Sequence, residues 1–272
     1  MNKFIKVIVY SLGILLLVVF GFLTYVKLAL PDVGPPPDIK IEATAEKIQR
    51  GSYLAHHVTL CIDCHSTRDW SYFAGPMVAG TEGKGGETFD QHFGFPGKYV
   101  APNITPFHLH DWTDGEIFRA VTSGVSKDGR ALFPIMPHLL YGQLDKNDIE
   151  AIIAYIRTLK PIENKTEISS SDFPMNFIIN TIPKKPSFTK IPPQSDQLSY
   201  GKYIAYGLPD KIIFSFNTKD YKMPKGVTFD FEDGSQKKTA AEKEKLKNQK
   251  GKMEIVISGY IINKGIADSV FN

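Results

Sequence analysis

The chain contains two cysteines, and both fall in one short motif, Cys61-Ile62-Asp63-Cys64-His65. No disulfide can therefore tie distant segments together, and whatever the two thiols do, they do side by side. C-x-x-C-H is the attachment pattern for a covalently held haem. Thiols separated by two residues reach the two vinyl groups of one porphyrin as thioethers, and the adjacent His65 then lies beneath the iron as proximal ligand. A zinc site needs further Cys or His pairs at ligand spacing, and the chain has no cysteines left to supply them. A thioredoxin-like dithiol needs a βαβ surround, which the flanking sequence does not offer.

The sixth ligand separates a carrier from a catalyst. Met136 is the leading candidate, in Leu132-Phe133-Pro134-Ile135-Met136-Pro137. Prolines on both sides stiffen that loop and lower the entropic cost of presenting a sulfur to iron. A plain core methionine is the competing reading, and Met77, near the haem motif, is a distant second candidate. His56 and His57 are expected on a helix surface, and His108 and His110 in a solvated polar loop. Trp112 is expected in the core or a haem wall.

Ile8 to Val26 carries no charge, and Lys3 and Lys6 precede it. About 20 apolar residues cross a bilayer, and the basic flank favours a cytoplasmic N-terminus. The competing reading is a cleaved signal peptide, whose apolar run is shorter and ends in a small-residue site that Lys27–Pro31 lacks. Either reading exports the chain beyond Leu30. Pro31 to Lys40 includes three consecutive prolines and is expected to be a stiff, extended spacer holding the folded part off the membrane. The formal net charge of +3 does not point to nucleic acid, because the excess sits in the N-terminal flank and a Lys-rich run near the C-terminus.

Helical spacing of Ile48, Gly51, Leu54, Ala55 and Val58 predicts a helix from about Thr44 towards Val58. Ser66 to Asp111 is Gly- and Pro-rich and reads as a long functional loop; its Gly80–Gly97 part could cover a haem edge. Thr113-x-x-Glu116 signals a helix stopped at Gly124. Ile149, Ile152, Ile153, Ile156 and Leu159 form the stripe of a helix from about Asp145 to Pro161. Pro161 to Leu198 reads as a Pro-rich linker, with Phe173, Phe177, Ile178 and Ile179 suggesting partial packing. Gly201-Lys-Tyr203-Ile-Ala205 echoes Gly51-Ser-Tyr53-Leu-Ala55, but Lys211 stands where the first copy has Cys61. Strand character appears at Ile212–Phe216, Val227–Phe231 and Glu254–Ile262, with a solvated Lys/Glu-rich segment at Gln236–Lys252.

From Thr44 to Leu159 the chain resembles a class I cytochrome c domain of the kind found in haem subunits of membrane-bound alcohol, aldehyde and gluconate dehydrogenases. The residues that carry this are Gly51-x-Tyr53-Leu54, CIDCH, Pro102-Asn-Ile-Thr105, Trp112-Thr-Asp114, Gly124-Val-Ser126 with Asp128-Gly-Arg130, Phe133-Pro-Ile-Met136-Pro137, and Tyr155-Ile-Arg157. Phe173-Pro-Met-Asn176 and Asn180-Thr-Ile-Pro183 are similar to the connector between tandem haem domains. The resemblance implies haem on Cys61 and Cys64, His65 proximal, Met136 distal, and first and last helices crossing with Gly51 near Tyr155. It departs from the family in that the second unit lacks a haem motif, and no region resembles the dehydrogenase subunit.

The expected architecture is mainly α. It comprises a membrane anchor at 1–30, a spacer at 31–43, a class I cytochrome c domain around one haem at 44–160, and a linker at 161–198. A haem-less C-terminal region occupies 199–272, β-rich or degenerate cytochrome-like. The expected function is single-electron transfer in a periplasmic respiratory chain, anchored in a bacterial inner membrane. No catalytic residue is assigned, iron is held by His65 and Met136, and the redox partner is a dehydrogenase or oxidase. Two alternatives stay open: a haem enzyme or gas sensor with an open sixth site, and a cytochrome subunit docking a dehydrogenase through its C-terminal region.

Overall fold

A computed structural model describes residues 2–72 and 74–206, together with the backbone of two strands, Lys211–Phe216 and Gly251–Val256. The described chain is helix-rich, with an apolar N-terminal helix and small sheets.

The uncharged N-terminal run forms α1, Lys3–Leu28. At about 1.5 Å per residue it is about 39 Å long, more than the roughly 30 Å of a bilayer core. Among the described residues it is the one helix long and apolar enough to cross a membrane, by length and composition. Its side chains are largely exposed, and Val26 in the last turn is buried.

The proline segment after α1, expected as a stiff spacer, lies along the domain. Ile39 and Ile41 pack on the core, and the Ile41 N–H donates to Asp114 Oδ2 at 2.9 Å. Gly115 meets the Pro37 backbone so closely that a Cβ there would overlap the Pro37 carbonyl. Prolines fix φ but leave carbonyls and neighbouring apolar side chains free to pack, so a stiff segment can still be an adherent one.

The core is built by α2, Ala45–His57, and α7, Lys146–Arg157. Thr44 caps α2 by accepting from the Lys47 N–H, and Asp145 caps α7 by accepting from the Asn147 N–H. Ile149, Ile152 and Ile153 are fully buried, each contributing about 2 kcal/mol on removal from water. The two helices cross at Gly51, where a Cβ would run into the Ala151 carbonyl and stand 2.9 Å from Tyr155 Cβ. Only a residue without a side chain permits this approach. Between them in sequence come α3, Cys61–Cys64; α4, Pro106–Leu109; α5, Asp114–Ser123; and α6, His138–Tyr141. Thr113 and Glu116 form the reciprocal capping box of α5, and Gly124 ends it at φ +75°.

A small antiparallel sheet joins β1, Thr88–Phe89, β2, Gly97–Val100, and β3, Ser170–Ser171. It ties the long loop to the segment after α7. That segment is bound more tightly than a linker. Asn103 Nδ2 donates to the Ile162 and Asn164 carbonyls, Asn164 Nδ2 to the Lys84 carbonyl, and the Val100 N–H to Ser169 Oγ. Further on, the Ser187 and Thr189 N–H groups donate to the Gly142 and Gln143 carbonyls. A short helix, α8, Met175–Ile178, leads into a 3-10 turn at Ile179–Thr181. The echo motif forms α9, Gln197–Tyr206, whose Tyr203 is buried against α7. Finally β4, Lys211–Phe216, pairs antiparallel with β5, Gly251–Val256. The strand expected at Val227–Phe231 lies outside the described residues.

Candidate functional site

α2 ends at His57, and Val58, Thr59 and Leu60 turn the chain into α3. Leu60 is left-handed at φ +53°, which costs a residue with a side chain about 1–2 kcal/mol. Buried contacts around Thr59 hold this turn. Its Oγ1 donates to the Leu54 carbonyl at 3.0 Å and lies 3.1 Å from Cys61 Sγ. Because the Thr59 hydroxyl proton is used on Leu54, Cys61 S–H is the donor between these two. The Tyr141 O–H donates to the Thr59 carbonyl from the opposite wall. The motif is thus held by packed elements on both sides.

Cys61, Cys64, His65 and Met136 all line one cavity of about 400 Å³. The wall is largely apolar and aromatic. Tyr99 and Phe133 stack at 3.9 Å, and Leu109, Trp112 and Ile117 complete it. His65 is buried, with Nδ1 2.7 Å from the Pro102 carbonyl. A carbonyl only accepts, so the proton sits on Nδ1 and Nε2 keeps its lone pair for a metal. Burial also holds this imidazole below its ordinary pKa, which favours the neutral, ligating form. Burial pushes the Cys61 thiol up to about 11 and raises Cys64 as well. Two thiols, one imidazole lone pair and one thioether around a single apolar cavity fit a haem, and among the described residues no group of three or more His, Cys, Asp or Glu could hold a metal ion.

Met136 is partly buried, packs on the core and lines the cavity, whereas Met77 packs on the core without lining it. The Met136 carbonyl accepts from the His138 backbone N–H at 2.7 Å, and His138 Nδ1 is 3.1 Å away. The fully buried His138 ring fills the space left by the missing side chain of Gly124. Trp112 is in the wall as expected. His108 also lines the cavity while remaining exposed, and it belongs to α4 instead of a loop; His110 faces outward, with Nδ1 near the Phe107 carbonyl. His56 Nε2 pairs with the Tyr155 hydroxyl at 2.8 Å, away from the cavity lining.

Several contributors were invisible to sequence reasoning. The Pro102 contact uses a carbonyl that every residue has. Thr59, Tyr141 and His138 carry no spacing signal that marks them as supports. The Tyr99–Phe133 stack joins residues far apart in the chain.

No family model matches the chain. The chain is 26% identical over 201 residues to the cytochrome c subunit of a quinone alcohol dehydrogenase from Gluconacetobacter polyoxogenes, covering 70% of this chain and 39% of that one. It is 29% identical over 160 residues to the fructose dehydrogenase cytochrome subunit of Gluconobacter japonicus, covering 56% and 30%. It is 26% identical over 178 residues to the gluconate 2-dehydrogenase cytochrome c subunit of Pantoea cypripedii, covering 61% and 37%. The chain therefore spans well under half the length of these relatives. Its similarity is to cytochrome c subunits of dehydrogenases, which supports an electron-transfer cytochrome and implies haem c.

Proposed function

We propose that this chain is a membrane-anchored monohaem c-type cytochrome that passes single electrons on the periplasmic side of a bacterial inner membrane. Cys61 and Cys64 carry the haem, His65 is the proximal ligand and Met136 the distal one. Bound there, the haem supplies a one-electron couple between ferric and ferrous iron. The observation that carries the reading is the His65 ring, fixed by Pro102 with Nε2 free, beside two thiols at the edge of one apolar cavity. The chain's own part is to orient that ring, hold Met136 on a proline-braced loop, and keep water from the cavity with Tyr99, Phe133 and Trp112. The apolar α1 fits the anchor.

The test is an absorption spectrum of the full chain, oxidised and reduced, with the mass of the denatured protein, after expression in a host that attaches haem. One covalent haem with low-spin bands and the weak ferric Met–iron charge-transfer band is the expected result. A high-spin, ligand-accessible spectrum turns the reading to an enzyme or sensor, and absence of covalent haem overturns it. The names of the relatives favour a second reading, in which the chain is the electron-accepting subunit of a dehydrogenase. Rapid reduction of the cytochrome by such a dehydrogenase with its substrate supports this reading.

A further inference from the structure

The end of α1 and the segment after the haem domain meet in one place. Val26 is 3% exposed in the last turn of α1. Lys27 Nζ lies 5.3 Å over the ring of Phe177 in α8, and the turn Ile179–Thr181 also touches α1. Around this junction, apolar side chains face outward. Phe173 is 79% exposed and stands edge-on to Phe177 at 6.4 Å. Ile168 is also 79% exposed, and Ile178 is 45% exposed. Lys184 and Lys185 come directly after, both exposed.

A contiguous exposed apolar patch marks a surface that is covered in use. The depth of this patch identifies the cover. The uncharged run of α1 ends at Val26, where hydrocarbon gives way to headgroups, and α8 packs against that same turn. At this level aromatic rings and lysines are favoured together, the rings among headgroups and the ammonium groups on anionic phosphates. Ile168 and Lys27 are exposed yet also line the cavity that holds Cys61 and His65, so the cavity opens on this side.

We propose that the α8 segment is a second, interfacial membrane contact: Phe173, Ile178 and Ile168 enter the headgroup layer of an anionic bilayer beside α1. This clamps the domain with its haem cavity opening towards the membrane surface. Electron exchange through that opening is then with partners that are themselves held at the bilayer. The inference rests on the reading of α1 as a membrane anchor.

The test places a nitroxide on the full-length haem-bearing chain in nanodiscs containing phosphatidylglycerol. Single cysteines replace Phe173, Ile178, Leu16 and Asp128 in turn, the native thiols being consumed by the haem. Collision with membrane-dissolved oxygen is compared with collision with a water-soluble nickel chelate. The oxygen-to-nickel ratio at Phe173→Cys and Ile178→Cys is expected to exceed that at Asp128→Cys severalfold and to approach that of Leu16→Cys. If both sites match Asp128→Cys while Leu16→Cys remains oxygen-rich, the anchor stands and the interfacial contact is overturned. Shielding of both sites from oxygen and nickel alike also overturns it, because a protein then covers the patch. An aqueous signal at Leu16→Cys overturns the anchor reading, and this inference with it.

Discussion

Tyr203→Phe removes one oxygen from the protein and almost no volume, yet it strikes the joint between α9 and α7. Tyr203 is 5% exposed. Its O–H donates to Asp148 Oδ2 at 2.7 Å and accepts from the Asp145 N–H at 2.9 Å. Asp148, also buried, is gripped by Arg50 through Nε and Nη2 at 2.9 and 2.7 Å, while Arg50 Nη1 donates to the Tyr200 hydroxyl. Burial and the neighbouring Asp148 raise the pKa of the Tyr203 phenol well above its ordinary value, so the donated proton stays in place at any working pH. The substitution deletes a hydrogen bond to a charged carboxylate and strands the Asp145 N–H without a partner. Each loss is worth about 1–3 kcal/mol, and Asp148 keeps Arg50, so the sum comes to about 2–4 kcal/mol. For a domain of this size that lowers Tm by about 4–16 °C. The assay is thermal unfolding of the haem-bearing chain followed by the Soret band. Leu198→Ala, at an exposed position on the same helix, serves as control and shifts stability by less than about 0.5 kcal/mol. An unchanged Soret transition in Tyr203→Phe would show that α9 lies outside the cooperative unit, and the joint would then carry no energy.

Gly51→Val drives a branched side chain into the Ala151 carbonyl, forces α2 and α7 apart, and costs about 3 kcal/mol or more; wild-type stability in denaturant would contradict the close crossing. Met136→Ala lowers the reduction potential and lets carbon monoxide bind the reduced protein; an unchanged potential with the same low-spin spectrum removes Met136 as ligand. His56 is held below its ordinary value of 6.5, first by burial and then by His57. Its proton therefore binds the unfolded chain more readily than the folded one. Stability falls as pH drops through the ordinary imidazole range, and His56→Gln flattens that part of the stability–pH curve.

Only features that spacing or a single residue type determines could be read from the sequence. The isoleucine stripe of α7, the Thr113–Glu116 box and the Gly124 stop needed only local rules, and Gly51 at the helix crossing needed only the family resemblance. The Pro-rich stretches, read as a stiff spacer and a partly packed linker, hide the extent of their contacts, because composition reports the absence of helical period and says nothing about tertiary contact. Outside α8 and the turn after it, much of the polar backbone of residues 31–43 and 161–198 is satisfied by the domain: Ile41 by Asp114, Ile162 by Asn103, Ile191 by Asp145. Strand β3 is too short to leave a period at all. The echo between Gly51-x-Tyr53 and Gly201-x-Tyr203 falls on two helices whose roles are reversed. In α2 the glycine makes the contact and Tyr53 is 45% exposed, whereas in α9 the tyrosine is the buried anchor. The same pattern thus serves two different joints, and only the partner surface decides which residue faces in. That surface also sets the extent of the proposed haem-holding unit. Lys27, Ile168, Ser171, Asn176 and Ile179 line the cavity alongside Cys61 and His65, and none of them lies within 44–160. A fragment ending at Lys160 keeps both thiols and both candidate ligands but loses part of the wall around them, so, if the proposed haem site is right, such a fragment is expected to hold its haem less well than the full chain, as the absorption spectrum of each would show.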